Sequence, residues 1–431
     1  MEMNIPQQNV PRVVIIGCGF GGLQLAKNLR NKPVQVVMFD KNNYHTFQPL
    51  LYQVATAGLE ADSIAYPIRK IFKAHANFNF RWANVETIVP AENKVITSVG
   101  ELTYDYLVIA SGSTTNFFGN AGIESQGMPM KSVTEALNLR SLILQHFEQA
   151  LLTSDVKEQE ALMTMVIVGG GPTGVEMAGA ISELKKHVLP HDYPELDFRK
   201  MRVILIENGS ALLGPMNPSN REKAKQYLEQ MGCELWLNTG VSKYDGLYVE
   251  TNTGKQLRTR NLIWTAGVKG AVPQGLAASS INPRTRILVN EYNKVNGYDN
   301  VYAIGDAACM PSAAYPQGHP QVAPVAIQQA ETLAKNIGNM LKKEPLKKFD
   351  YFDKGSMATV GRNKAVAEVG KLHFGGVLGW LAWMFLHLML LVGFRNKIVV
   401  FINWVWNYFN YDRNIRLIIR PFSRKEKAPE G

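Results

Sequence analysis

The sequence predicts an α/β fold of two similar halves followed by a helical C-terminal region, and three observations carry that expectation. An apolar run meets the glycines Gly17, Gly19 and Gly22; "MVIVGGGPTGVEMAGAI" repeats the pattern 152 positions later with Gly169, Gly171 and Gly174; and eighteen uncharged residues, Val377 to Phe394, precede a basic, aromatic tail. A chain of 431 residues has room for two or three domains, and 46% hydrophobic with 19% charged residues reads as globular.

The first repeat has the physical parts of a dinucleotide site. The strand "RVVIIG" must turn sharply into a helix: Gly17 permits the turn, Gly19 lets a pyrophosphate approach the backbone, and Gly22 lets helix and strand pack closely, with Phe20 and Gly21 between them. The helix N-terminus then offers free N–H groups to the phosphates. The next strand, "PVQVVMFD", ends at Asp40, whose carboxylate suits the ribose hydroxyls of an adenosine.

The second repeat is built likewise, with Gly169, Gly171, Pro172, Thr173 and Gly174 in the turn and "RVILIE" ending at Glu207. The acid lies 38 positions after the first glycine, and "KKHVLPHDYPELDFRK" explains the excess as an insertion between helix and strand. Glu207 repels a 2′-phosphate, so this site should prefer NADH to NADPH; the plainer alternative is an ordinary acid at a strand end. Two further buried strands, "YDYLVIASGS" and "VYAIGDAA", end in small residues at Ala110, Ser111, Gly112 and at Gly305, Asp306. They let backbone approach a large ligand, although Asp306 also suits a helix N-cap. The fold class is thus two Rossmann-like dinucleotide-binding domains, for two dinucleotides held face to face, plus a C-terminal helical membrane-anchoring region.

Charge and cysteine usage exclude several functions. The net charge is +10, but residues 395 to 431 hold eight Lys/Arg against three Asp/Glu, so half of the excess sits in the tail and nucleic acid is not an expected partner. Cys18, Cys233 and Cys309 form no CxxC or CxxxxC pair, which argues against a disulfide framework, a zinc site or a dithiol redox centre; no metal is expected. "MEMNIPQQNVPR" has no apolar core of signal-peptide length, so export is not expected and catalysis should face the cytoplasm.

The order GCGFGG, ASG, GGGPTGVE, TAG, GDA resembles the two-dinucleotide flavoprotein reductases. More narrowly, "NYHTFQPLLYQVATAGL", "IWTAGV", "DKGSMATVGR" and "WLAWMFLHLMLLVGFRNK" resemble type II NADH dehydrogenases, the single-subunit NADH:quinone oxidoreductases that pump no protons, over essentially the whole chain. The resemblance implies tightly but non-covalently bound FAD on the first repeat, NADH as substrate on the second, and a membrane quinone as acceptor. It divides the chain into 1–118 and 271–350 for FAD, 119–270 for NADH and 351–431 for the membrane. It places Thr46, Pro49 and Leu50 along the isoalloxazine, Lys41, Val85, Ala266 and Gly267 among the cofactor contacts, and Lys354 near the flavin. Glu176 then lies between the nicotinamide, flavin and quinone routes, where it positions the nicotinamide or relays a proton, or merely complements the helix dipole. Gln328 and Gln329 are the implied quinone contacts; Pro324 stands where much of the family has a glutamine.

In the tail, Asn396, Asn403, Asn407, Asn410 and Asn414 recur at intervals of seven, four, three and four and draw one polar stripe on a helix whose other faces are apolar. Arg413, Arg416 and Arg420 are expected to prolong it and Pro421 to stop it. The preferred reading is a monotopic anchor on the inner (cytoplasmic) membrane, with a homodimer contact compatible; the alternative is packing on the protein's own core or on a second subunit. A sulfide:quinone oxidoreductase would need a cysteine pair beside the flavin. A flavin-dependent redox sensor, or an NADH oxidoreductase with another acceptor, is the remaining alternative.

Overall fold

The computed structural model describes residues 3–6, 8–410 and 415–424. The chain divides into two compact units: residues 1–46, 66–114 and 268–353, and residues 47–65, 115–267 and 354–431.

In the first unit β1 (Arg12–Ile16), α1 (Phe20–Asn28) and β2 (Gln35–Asp40) follow one another. Strand β1 is the centre of a five-stranded parallel sheet ordered Val301–Ala303, Tyr106–Ile109, β1, β2, Phe78–Trp82. Val13, Val14 and Ile15 are wholly buried, as a central strand covered on both faces requires. The strands expected at 104–113 and 301–308 are shorter than their apolar runs, because Gly112 and Gly305 adopt positive φ and turn the chain away from the sheet.

The second unit repeats the plan. Strand β3 (Met165–Val168) leads into α2 (Pro172–His187) and then β4 (Val203–Ile206). Its parallel sheet is ordered Met128–Pro129, Asn261–Trp264, β3, β4, Glu234–Trp236. The helix Val133–Leu152 begins with a reciprocal cap: Ser132 Oγ accepts from Glu135 N–H at 3.2 Å, and Glu135 accepts from Ser132 N–H at 2.9 Å. Helix α3 (Pro218–Gln230) follows β4. An antiparallel meander then starts with β5 (Ser356–Gly361) and lies on α2, where a Cβ at Gly179 would sit 2.6 Å from the Val360 carbonyl; only glycine allows this approach.

Two helices close this unit, α4 (Gly376–Leu390) and α5 (Phe394–Asn410). No helix among the described residues is long and apolar enough to cross a membrane. Three asparagines of the α5 stripe face the protein, while Asn410 is exposed: Asn396 donates to the carbonyls of Asp62 and Ser63 at 3.0 Å, Asn403 to the Glu60 carboxylate at 2.7 Å and Asn407 to the Gly58 carbonyl at 3.1 Å. Asn396 and Asn407 thus satisfy backbone carbonyls of residues 58–63, and Asn403 the side-chain carboxylate of Glu60. The opposite face turns Phe394, Ile398, Phe401, Ile402, Trp406 and Phe409 outward, and α4 adds Leu378, Leu381, Phe385 and Met389. The helix ends sooner than its sequence suggested. Arg416 lies in a non-helical segment and pairs with Asp192 at 2.5 Å, and Gln145 exchanges two hydrogen bonds with the backbone of Phe422; Arg413 and Asn414 lie outside the described residues. The terminal segment is thus tied to two separate elements, by its own Arg416 side chain on Asp192 and by the Gln145 side chain on its backbone at Phe422.

Candidate active site

Each unit carries one glycine turn between a buried strand and a helix. In the first, Gly17 has φ +99° and a Cβ there would lie 2.4 Å from the Ala110 carbonyl oxygen; at Gly22 it would lie 1.9 Å from that of Gly17; at Gly19 it would meet nothing within 4 Å. Two glycines therefore permit the turn, and the third opens it towards a ligand. Helix α1 has no side-chain cap and no acid in its first turn, so its N–H groups and positive end are left for an anion. Asp40 is held by Cys18 N–H at 2.6 Å and Asn42 N–H at 2.7 Å, and burial raises its carboxyl above the ordinary range against those two bonds. His45 braces the turn from behind, its Nδ1 2.7 Å from the Cys18 carbonyl; burial drops its pKa to about 4 and keeps it neutral. Asp306 accepts from Ser113 Oγ at 2.5 Å, and Ser111 Oγ donates to Ala271.

The second turn has the same parts. Gly169 has φ +110° and a Cβ would press on the Ala266 backbone at 2.8 Å; at Gly174 it would lie 1.9 Å from the Gly169 carbonyl oxygen; Gly171 faces open space. Helix α2 likewise lacks a side-chain cap and a first-turn acid. Glu207 accepts from Gly170 N–H at 2.5 Å and Gly209 N–H at 2.6 Å. Gly171, Pro172 and Thr173 are exposed, Gly267 has φ +103°, and a pocket opens beside the turn, lined by Gly170, Gly171, Glu207, Gly209 and Arg221. Both cradles fit a dinucleotide: an open glycine, unpaired helical N–H groups and a fixed carboxylate at the end of the adjacent strand.

Two residues past the second turn, Glu176 enters a cavity of about 110 Å³. Its walls are Tyr52 and Gln53, Thr359 and Arg362, and the aromatic rings of Trp380, Trp383, Trp404 and Tyr408. Trp383 stacks on His387 at 4.0 Å, and Trp404 donates to Gln53 at 2.8 Å. Burial pushes the Glu176 carboxyl up to about 8, against the smaller pull of the Thr359 backbone N–H and the Trp383 indole. The acid therefore holds a proton at neutral pH, inside an aromatic cavity.

Residues 11–330 match the pyridine nucleotide-disulphide oxidoreductase family, and residues 354–411 match the NDH2 C-terminal domain. The type II NADH:quinone oxidoreductase Ndh of Mycobacterium tuberculosis is 37% identical over 420 residues, covering 93% of this chain and 89% of that protein. The chain belongs to the type II NADH:quinone oxidoreductase family. The structure of NDH2 from Plasmodium falciparum in complex with NADH shares its fold, with TM-score 0.87 at 21% identity over 95% of this chain and 100% of that one. The sulfide:quinone oxidoreductase of Aquifex aeolicus also shares it, with TM-score 0.72 at 21% identity over 93% and 95%.

The remaining expected residues of this family member fall in varied settings. Lys354 is exposed just ahead of β5, and Lys41 is exposed with its carbonyl holding the Trp82 indole at 2.8 Å. Leu50 and Val85 are buried core residues, while Thr46 and Pro49 are half-buried. Gln329 is buried and accepts from Gly305 N–H at 2.7 Å, so its amide shapes the turn before Asp306. Gln328 brackets the backbone of Phe352 at 2.9 and 3.0 Å. Pro324 sits in the first turn of the helix Ala323–Lys342, where a missing N–H costs nothing. Sequence reasoning missed His45, the tryptophans of the cavity and Arg221. The i, i+4 spacing of Trp383 with His387 and of Trp404 with Tyr408 was a signal for a shared aromatic face, but nothing local marked His45 or Arg221.

Proposed function

We propose that the chain catalyses NADH:quinone oxidoreduction with FAD as its resident flavin, on a membrane surface and without moving protons across it. The observation that carries this reading is Glu176: a carboxyl that is protonated at neutral pH, in a cavity walled by the tryptophans of two helices whose other faces are exposed and apolar. That setting suits an acceptor that is lipophilic and takes up protons with its electrons, as a quinone does.

When bound, the flavin accepts two electrons from NADH and passes them to the quinone. The protein's own residues do the rest. Gly17, Gly19 and Gly22 with Asp40 hold one dinucleotide, and Gly169, Gly171 and Gly174 with Glu207 hold the other, the Glu207 carboxylate favouring a free 2′-hydroxyl over a 2′-phosphate. In this reading Glu176 keeps its proton until the acceptor is reduced, and the tryptophans exclude water around it. Lys354 acts electrostatically on the flavin, and Gln328 and Gln329 act on the quinone side through the backbone they hold. The FAD-binding parts 1–118 and 271–350, the NADH-binding part 119–270 and the anchoring part 351–431 are the corresponding functional divisions.

The outward faces of α4 and α5 rest at the boundary of the lipid headgroups, on the cytoplasmic side of the inner membrane; a homodimer would use part of the same face. The test is NADH oxidation by the purified yellow protein in detergent, with and without a short-chain quinone, beside NADPH. Fast quinone-dependent turnover with NADH and little with NADPH supports the reading. A flavin that NADH reduces and quinone leaves reduced would transfer the assignment to a redox sensor or another acceptor.

A further inference from the structure

The pocket beside the second glycine turn contains charges of both signs. Its carboxylate, Glu207, is fixed by two backbone N–H groups at 2.5 and 2.6 Å. Its cation is Arg221, four residues into α3, whose Nε donates to the Met216 carbonyl at 2.5 Å. That bond clamps the stem of the guanidinium and leaves its terminal nitrogens unoccupied. Among the described residues Arg221 forms no ion pair, with Glu207 or with any other carboxylate. Both residues line one pocket with Gly170, Gly209 and Gly214.

A fixed carboxylate at the end of β4 accepts hydrogen bonds from two ribose hydroxyls, and that function needs no cation. A guanidinium with a free fork suits a phosphate monoester, which it binds through paired, charge-assisted hydrogen bonds. NADH carries no such group on its adenosine ribose; NADPH carries one at the 2′ position.

We propose that Arg221 is a specificity-determining residue: it forms a latent 2′-phosphate site in the adenosine pocket, which the neighbouring Glu207 carboxylate keeps closed. The inference rests on the reading of the second cradle as the nicotinamide dinucleotide site. Coenzyme preference is then set by the balance of two charges, and removing one should expose the other. Neutralising Glu207 yields a pocket that already owns its phosphate partner.

The test uses the flavin-loaded full chain and two fragments, 5′-AMP and adenosine 2′,5′-bisphosphate, titrated by calorimetry, with NADH and NADPH turnover alongside. Glu207→Gln keeps an acceptor for the Gly170 N–H and removes the charge. It should tighten the bisphosphate relative to 5′-AMP by about tenfold, and shift the NADPH to NADH ratio of kcat/KM in step. Adding Arg221→Met should abolish that gain, and Arg221→Lys in its place should keep part of it, which separates lost charge from lost folding. The gain should also shrink as salt is raised. A gain that survives Arg221→Met overturns the proposal. So does an Arg221→Met protein that loses 5′-AMP as severely as the bisphosphate, since Arg221 would then serve the part common to both coenzymes. If neither fragment nor NADH binds a folded, yellow protein, it is the assignment of the second cradle that fails.

Discussion

The two glycine turns share a design and differ in what surrounds them. Each places one glycine at positive φ, one against open space, and one whose Cβ would collide with a carbonyl oxygen at 1.9 Å; each clamps its strand-end acid with the middle N–H of the turn. The first turn is braced by the buried His45 on the Cys18 carbonyl, and its acid is largely buried too. The second leaves Gly171, Pro172 and Thr173 exposed beside an open pocket. On the proposed reading the first cradle keeps its dinucleotide and the second exchanges it. The helices differ as well. Position 24, two residues after the last glycine of the first turn, carries a glutamine bonded to Glu331 at 3.2 Å; the matching position of the second carries Glu176. The two copies thus share the turn and differ in the side chain two residues beyond it, which in the proposed function carries a proton in the second copy alone.

A pair of glycine substitutions should separate the two cradles most sharply. Gly22→Ala should give protein that purifies without most of its flavin, read from absorbance per chain. Gly174→Ala should stay yellow and lose at least about a hundredfold in NADH-driven flavin reduction, because an ångström of displacement at a reacting centre is worth that much. A Gly174→Ala protein that loses its flavin would show that the two cradles do not have separate duties.

Glu176→Gln should leave flavin content intact and slow quinone reduction by roughly a hundredfold, the low end of what a positioned acid contributes. It should also change stability in a defined direction. The folded carboxyl is near 8 against an ordinary value of 4.5, so between those pH values the unfolded chain loses a proton that the folded chain keeps. Stability therefore falls as pH rises through that window, by up to about 3–5 kcal/mol. The glutamine variant should lack this decline, measured as Tm against pH from 5 to 9. Parallel Tm profiles for the two proteins would mean that Glu176 is ionised in the fold.

The acids at the strand ends should give smaller effects. Asp40→Asn keeps one acceptor for the two N–H groups and should weaken flavin retention by about fivefold to tenfold, the net worth of one ordinary hydrogen bond. It should leave the NADPH to NADH ratio unmoved, whereas Glu207→Gln moves that ratio and leaves flavin retention alone. Dialysis of flavin from each variant, with coenzyme kinetics alongside, reads both.

The helical end of the chain shows where sequence and structure part. The asparagine stripe of α5 was legible from spacing, since 3.6 residues per turn is a local property. Its use was not. The carbonyls at 58, 62 and 63 that it satisfies lie over 300 residues away in sequence, and they turn the polar face inward and the apolar face out, the reverse of an ordinary surface helix. The end of α5 was also missed, because the contacts of Arg416 and Phe422 with residues near 190 and 145 replace the helix that the arginine spacing suggested.

The two glycine turns and the acid at the end of each neighbouring strand were legible from residues alone. Strand, turn and helix are contiguous there, and the glycines are imposed by backbone conformation and by close approach within some twenty residues or to the next strand of the sheet. Long-range packing raises the Glu176 carboxyl and brings Arg221 into one pocket with Glu207. The pKa of a carboxyl follows from how completely water is removed from it. At Glu176 that is done by β5 and by Trp383, about two hundred residues further along the chain. A residue type and its spacing fix what a group can do; desolvation and long-range packing fix which of those things it does.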